Sequence, residues 1–260
     1  MSADHDELLY EVRGTIGLVT LNRPQARNAM TFGMYDKLAE ICASVPRDGS
    51  VRAIVVTGAG GKAFAAGTDI SQFREFKSAA DGLDYERRMG VRIGKIEACA
   101  VPTIAAISGA CTGGGAAIAA CCDVRLGTTD MRFGFPIART LGNCLSSGSL
   151  AKMVSLVGAT KVTEMIFTAR LLGADEAKAL GLVSELHADH AAVLARALAM
   201  AGEMAELAPI TLRVTKEMLR RMRPKAIESD DLVAEAYGST DFREGLTAFL
   251  EKRKPKWTGK

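Results

Sequence analysis

The chain has 260 residues, a formal net charge of +3 at pH 7, 48% hydrophobic residues and 24% charged ones. That mixture excludes a disordered chain, and a protein this long buries roughly 70–75% of its unfolded surface without disulfide staples. So small a net charge gives no case for nucleic-acid binding, which draws on a clustered basic face.

In chain order, residues 8–21 alternate on both sides of Gly14 and predict a hairpin. Residues 22–28, NRPQARN, read as a loop. Thr31 caps a helix whose Met34, Leu38, Ile41 and Val45 share one face. Residues 52–57 form a strand apolar on both faces, followed by the turn Gly58–Gly61. Residues 69–97 read as helical with a break at Gly82 or Gly90. Residues 103–107 are a second buried strand. Gly113–Gly115 open a helix of small residues, and 123–128 form a third strand. From about 145 the chain reads as largely helical, with a soft boundary near 188–196 and a basic C-terminal tail. The strand–turn–helix unit recurs at an irregular spacing near 45–50 residues, too loose to be a sequence repeat.

Cys42, Cys99, Cys111, Cys121, Cys122 and Cys144 show no paired zinc-ligand spacing and read as reduced core thiols of a cytoplasmic protein. Of the three histidines, His5, His187 and His190, the last two have an i,i+3 spacing but no third ligand, so no metal site is expected. Met1–Glu7 is polar and acidic, unlike a signal or transit peptide. The one long apolar stretch, 98–122, contains Pro102 and Gly113–Gly115, which argues against a membrane span.

Two segments carry chemistry, 61–70 (GKAFAAGTDI) and 108–117 (SGACTGGGAA). Each follows a buried strand and precedes a helical stretch, where backbone N–H groups are left without partners and suit an anion. Two such turns side by side can aim two N–H groups at one oxygen. Nucleotide motifs fit poorly. Position 56 is Val and Ala63 follows Lys62, so the phosphate-loop pattern fails twice. Gly58-x-Gly60-x-x-Ala63 matches a relaxed dinucleotide fingerprint, but no helix follows at once and no acidic ribose ligand is evident.

Taken together the motifs resemble the crotonase superfamily, the enoyl-CoA hydratase/isomerase family. Asn22–Met30 resembles its NRP-x-x-x-NA loop, 61–70 its G-x-x-F-x-A-G-x-D motif, 100–109 its apolar strand, Gly113–Gly115 with Cys122-Asp123 its GGG…CD block, and 244–254 its C-terminal signature. The resemblance implies an α/β fold: a spiral of strand–strand–helix turns over 1–190, with a C-terminal helical trimerisation region over 191–260. It implies an acyl-CoA substrate and a homo-oligomer, a trimer or a dimer of trimers, with coenzyme A part of the substrate rather than a separate cofactor. It places an oxyanion hole at the backbone N–H groups of Thr68 and Gly114. Coenzyme A contacts fall on Arg27, Ala65, Ala66, Asp69 and Ile70, with Phe249 and Lys252 reaching a neighbouring subunit's coenzyme. The stretch Asp81–Gly94 is expected to line the acyl pocket, with Tyr85, Glu86 and Met89 foremost. Asp69 and Asp123 match positions that stabilise turns and helix starts.

The sequence departs from that pattern at both acid/base positions. Hydratases of the family carry one Glu three residues after the oxyanion glycine, where this chain has Ala117. They carry a second after the Pro of an F-G-x-P-E segment, where it has Ile137. Neither side chain can move a proton, and a positioned acid or base contributes typically about 10²–10⁴-fold. Glu86, Arg139, Asn143 and Cys144 are the candidates left. The readings are therefore an acyl-CoA enzyme stabilising an enolate-like oxyanion without standard hydration (isomerase, decarboxylase or thioester hydrolase), a weak hydratase, or a non-catalytic acyl-CoA binder.

Overall fold

A computed structural model describes residues 6–260; His5 and the first residues of the acidic N-terminal stretch lie outside it. The chain opens with β1 (Leu8–Arg13), β2 (Ile16–Leu21) and α1 (Phe32–Ala43). Next come β3 (Ala53–Gly58), β4 (Ala63–Ala65) and α2 (Ala79–Glu97), then β5 (Thr103–Ile107), β6 (Ala110–Thr112) and α3 (Gly114–Cys121). A fourth turn supplies β7 (Val124–Thr128), β8 (Arg132–Gly134), α4 (Ile137–Thr140), α5 (Ser147–Val157) and α6 (Ala159–Phe167). The remainder holds β9 (Leu172–Gly173), α7 (Ala174–Ala179), β10 (Glu185–His187), α8 (His190–Ala205), α9 (Pro209–Met222), α10 (Asp230–Gly238) and α11 (Thr240–Leu250).

One sheet has the order β1-β2-β3-β5-β7-β10 and the other β4-β6-β8-β9. Successive turns thus lay one strand in each sheet before a helix returns the chain, which is a spiral. Pairing is parallel except within the β1–β2 hairpin and between β8 and β9. A parallel sheet needs both faces covered. Alternate side chains of the larger sheet do this: Val19, Leu21, Ile54, Val56, Ala105 and Ile107 join the main core. Leu18, Val55, Ile104 and Leu126 meet Val193, Ala197, Ala201 and Ala205 of α8. The i+4 spacing of those four residues makes one face of α8. The expected boundary at 190/191 coincides with the first turn of α8, which packs on the larger sheet, while α9 buries no residue of its own.

The expected hairpin, Thr31 cap and three apolar strands are present; the Thr31 hydroxyl accepts from Met34 N at 3.3 Å. Helix α2 is unbroken through Gly82 and Gly90, but the helical reading of 69–97 begins too early: Ile70–Phe73 is a 3-10 turn and the α-helix starts at Ala79. Gly82 is not a breaker but a contact: a Cβ there would overlap Cβ and Cγ of Tyr237 on α10. The short strands β9 and β10 interrupt the region expected to be helical.

Candidate active site

The loop 22–30 is fixed by its own polar groups. Asn28, fully buried with φ +56°, donates to Ala59 O and Ala63 O at 3.0 and 2.8 Å and accepts from Arg23 N at 3.0 Å. Arg23 bonds Ala29 O and pairs with Glu7 and Asp69 at 3.0 and 2.9 Å. Asp69 in turn accepts from Ser71 N at 3.1 Å, starting the 3-10 turn. These contacts hold the 22–30 loop against the turn at Ala59 and the backbone from Ala63 to Asp69.

The 65–69 backbone and the 112–114 turn meet over a cavity of about 540 Å³. A Cβ on Gly113 would lie 3.4 Å from Gly67 Cα, and one on Gly114 would overlap the Tyr35 hydroxyl and stand 2.9 Å from Thr68 Oγ1. Only glycine fits position 114. Gly113 N and Asp69 N donate to Gly134 O and Met30 O at 2.9 and 2.8 Å. The N–H groups of Thr68 and Gly114, between them in the same turns, have no acceptor among the described residues. Gly114 is the first residue of α3, so its N–H is one of the donors a helix leaves open, at the positive end of the helix dipole.

The Thr68 hydroxyl is hydrogen-bonded to the Tyr35 hydroxyl at 2.9 Å and lies 3.4 Å from that of Tyr85. Burial holds both phenols well above their ordinary range. Tyr85 packs edge-on against Phe73 at 4.9 Å, within an aromatic cluster that includes Phe76, Tyr237 and Phe242. One helical position on, Glu86 opens onto the cavity. Its carboxylate accepts from the Tyr237 hydroxyl at 2.6 Å, and Asn143 Nδ2 donates to the Tyr237 oxygen at 3.2 Å. Removal from solvent raises the Glu86 carboxyl to about 7 against the opposing pull of the Tyr237 hydrogen bond. The other two carboxylates on the wall are in ion pairs: Asp69 with Arg23, and Glu97 with Lys152 and Arg223.

The cavity brings together Arg27, Ala66, Thr68, Asp69, Ile70, Glu86, Gly114, Asn143, Cys144 and Phe249. Ala117 and Ile137 also line it and present only carbon. Ala65 lies fully buried beneath the wall. Arg139 is exposed at the end of α4, and Lys252 follows α11; neither reaches the cavity. Phe249 lines the cavity of its own chain. Cys144 is a poor nucleophile here, because burial and the Glu86 carboxylate push its thiol up to about 11. His190 bonds Ser108 and His187 pairs with Glu185, both away from the cavity. Asp123 accepts from Thr103 N and Oγ1 at 2.8 and 2.9 Å, tying β5 to the turn before β7. Among the described residues no group of three or more His, Cys, Asp or Glu is placed for a metal, and no helix is long and apolar enough to cross a membrane. The sequence reading did not single out Tyr35, Tyr237, Glu97, Lys152 or Arg223. Tyr35 had a signal, since it begins a turn of the apolar α1 face; Glu97 closes the helix read over 69–97 but pairs with Lys152 and Arg223, which, like Tyr237, lie far along the chain.

Residues 11–260 match the family model described as Enoyl-CoA hydratase/isomerase. The chain is 31% identical over 258 residues to the short-chain-enoyl-CoA hydratase of Clostridium acetobutylicum, with 96% of each chain covered. It is similar to a crystal structure of an enoyl-CoA hydratase/carnithine racemase from Magnetospirillum magneticum, at TM-score 0.79 and 34% identity, covering 99% of this chain and 97% of that one. A methylmalonyl-CoA decarboxylase in complex with 2-nitronate-propionyl-CoA shares the fold at TM-score 0.87 and 24% identity, with 98% and 100% of the chains covered.

Proposed function

The chain belongs to the enoyl-CoA hydratase/isomerase family, and on that premise we propose that it is an acyl-CoA enzyme that shifts a double bond by moving one proton through Glu86. The thioester oxygen accepts from the N–H groups of Thr68 and Gly114. The coenzyme lies along Arg27, Ala66, Asp69 and Ile70 at the cavity mouth. Glu86 takes the proton from C2 of a 3-enoyl thioester, and the electron pair passes through the dienolate onto the held oxygen. The same carboxyl returns the proton to C4, leaving the conjugated 2-enoyl thioester.

The observation that carries this reading is that Glu86 is the one cavity carboxylate without a cationic partner among the described residues, raised to about 7. A base near the working pH combines a useful ionised fraction with real proton affinity. Hydration needs a second acid or base to activate water, and Ala117 and Ile137 supply none. Preorganised donors at the oxyanion are each worth roughly 3–4 kcal/mol of barrier, which leaves a one-carboxylate reaction feasible.

The test follows 3-enoyl-CoA conversion, crotonyl-CoA hydration and deuterium uptake at C2 side by side. The expected result is isomerisation and exchange without hydration, with Glu86→Gln lowering kcat by about 10²–10⁴-fold while substrate affinity stays. Hydration at rates ordinary for the family overturns the reading. Thioester binding with neither isomerisation nor exchange leaves a binding protein. The assembly we propose is a trimer or dimer of trimers, supported by the exposed apolar face of α9.

A further inference from the structure

The cavity does not end in hydrocarbon. Its wall follows one face of α2, through Glu86, Met89, Ile93 and Glu97, and one face of α3, through Gly114, Ala117, Ala120 and Cys121. Thr68 is met by Tyr85, within α2, and by Gly114, the first residue of α3. The middle of the passage is apolar. At its far end Lys152 of α5 and Arg223, just past α9, both bind the Glu97 carboxylate, with side chains only 12%, 22% and 18% exposed.

Two cations there share one anion. The nearby cations have partners of their own: Lys216 bonds Asp123 at 2.8 Å, and Arg220 bonds Glu217 at 2.7 Å. No further carboxylate lines the cavity besides Asp69 and Glu86, which are engaged elsewhere. Burial and the neighbouring Arg223 draw the Lys152 ammonium down to about 7, so the inner end of an otherwise apolar passage holds Arg223 balanced by Glu97 and a lysine that keeps its full charge only when a second anion joins it. Such a charge is costly unless an anion meets it. An uncharged alkyl end would leave it unmet, and a terminal carboxylate would satisfy it with charge-assisted hydrogen bonds.

We propose that the preferred substrate is an acyl thioester whose far end carries a carboxylate, recognised by Lys152 and Arg223. The inference rests on the thioester position proposed at Thr68 and Gly114. Gly114 and Cys121 span seven steps of α3, about 10 Å at the helical rise, so the fitting chain is a dicarboxylic one of medium length.

Calorimetric titration of the whole protein compares free coenzyme A, butyryl-, hexanoyl- and octanoyl-CoA with the mono-thioesters of the C4, C6 and C8 dicarboxylic acids. At C6 or C8 the dicarboxylic thioester should bind about tenfold or more tightly than its uncharged equal, as a charge-assisted bond allows. Lys152→Met keeps Arg223 on Glu97 and should bring the two affinities together; Arg223→Met does the same from the other side. Equal affinities in the unaltered protein, or a preference that survives both variants, overturn the inference. The unaltered comparison alone decides it should either variant fail to fold. A preference set by coenzyme phosphates would instead appear as loss of free coenzyme A binding in the variants, and that too overturns it. Failure of every thioester and of coenzyme A to bind removes the family-based reading beneath it. Tight uncharged binding without preference removes this inference alone.

Discussion

Glu86 is the residue whose environment can be tested without knowing the substrate. Its neighbours are phenols and a thiol, Tyr35, Tyr85, Tyr237 and Cys144, all neutral at pH 7 because burial raises each of them. The folded protein therefore retains a proton, up to about pH 7, that the unfolded chain releases near the usual glutamate value of 4.5. Stability from this group is fully present below 4.5 and is lost as pH rises through 7. Glu86→Gln removes the titration while keeping an oxygen for Tyr237. The variant should gain on the unaltered protein by about 2 kcal/mol between pH 5 and pH 8, read from urea denaturation at each pH. A constant difference would place the carboxyl back in the ordinary range, and the proton-transfer role would lose its physical basis. The two turns that carry the Thr68 and Gly114 N–H groups were legible because glycine clusters mark such turns, while the choice of these two residues came from the family resemblance. The setting of Glu86 was not, since its hydrogen-bond partner Tyr237 lies 151 residues away.

Helix α2 shows what a local reading gets right and wrong. Its capping box at Ser78 and Asp81, where Asp81 accepts from Ser78 N at 2.9 Å, lies inside the stretch read as helix. Gly82 and Gly90 look alike in sequence and differ in surroundings. Position 82 is pressed by the Tyr237 ring, whereas a Cβ at position 90 meets nothing within 4 Å. Gly82→Ala should destabilise by about 1–3 kcal/mol, since forcing a methyl into packed side chains outweighs the better helix propensity. Gly90→Ala should stabilise by up to about 1 kcal/mol. Chemical denaturation of the pair decides: two effects of the same sign would mean that α10 does not pack on α2 as described. The three-residue strands β4, β6 and β8 escaped a reading by period, because three residues show no alternation. The fully buried β3 and β5 were visible as apolar runs between turn residues.

At the scale of the molecule, the spiral could be inferred only from the family resemblance. Parallel pairing joins strands through long crossovers, and nothing local in β3 specifies β5 as its neighbour. The same limit applies to the far end of the cavity, where Glu97, Lys152 and Arg223 converge from three separate helices or their ends. What the single chain leaves unresolved physically is α9. Ile210, Val214, Met218 and Met222 repeat every four residues and are 69%, 37%, 61% and 79% exposed. Helical spacing puts them in one stripe, and Leu207, Leu219 and Ile227 beside it are exposed too. A stripe of that length facing water forgoes about 1.5–3 kcal/mol for each large side chain that burial would recover, and folded monomers rarely leave such patches uncovered. The stripe runs on a helix that buries no residue of its own, and it is what the proposed assembly of several copies would cover. Sedimentation should give three or six chains per particle. Met218→Asp with Met222→Asp, which alters no cavity residue, should shift the particle towards single chains and lower its melting temperature. A single-chain particle for the unaltered protein would instead mean that α9 folds back onto its own spiral in solution. Arg223 and its pairing with Glu97 would then move with it, so the same sedimentation run also tests whether the cationic end of the cavity stands as described.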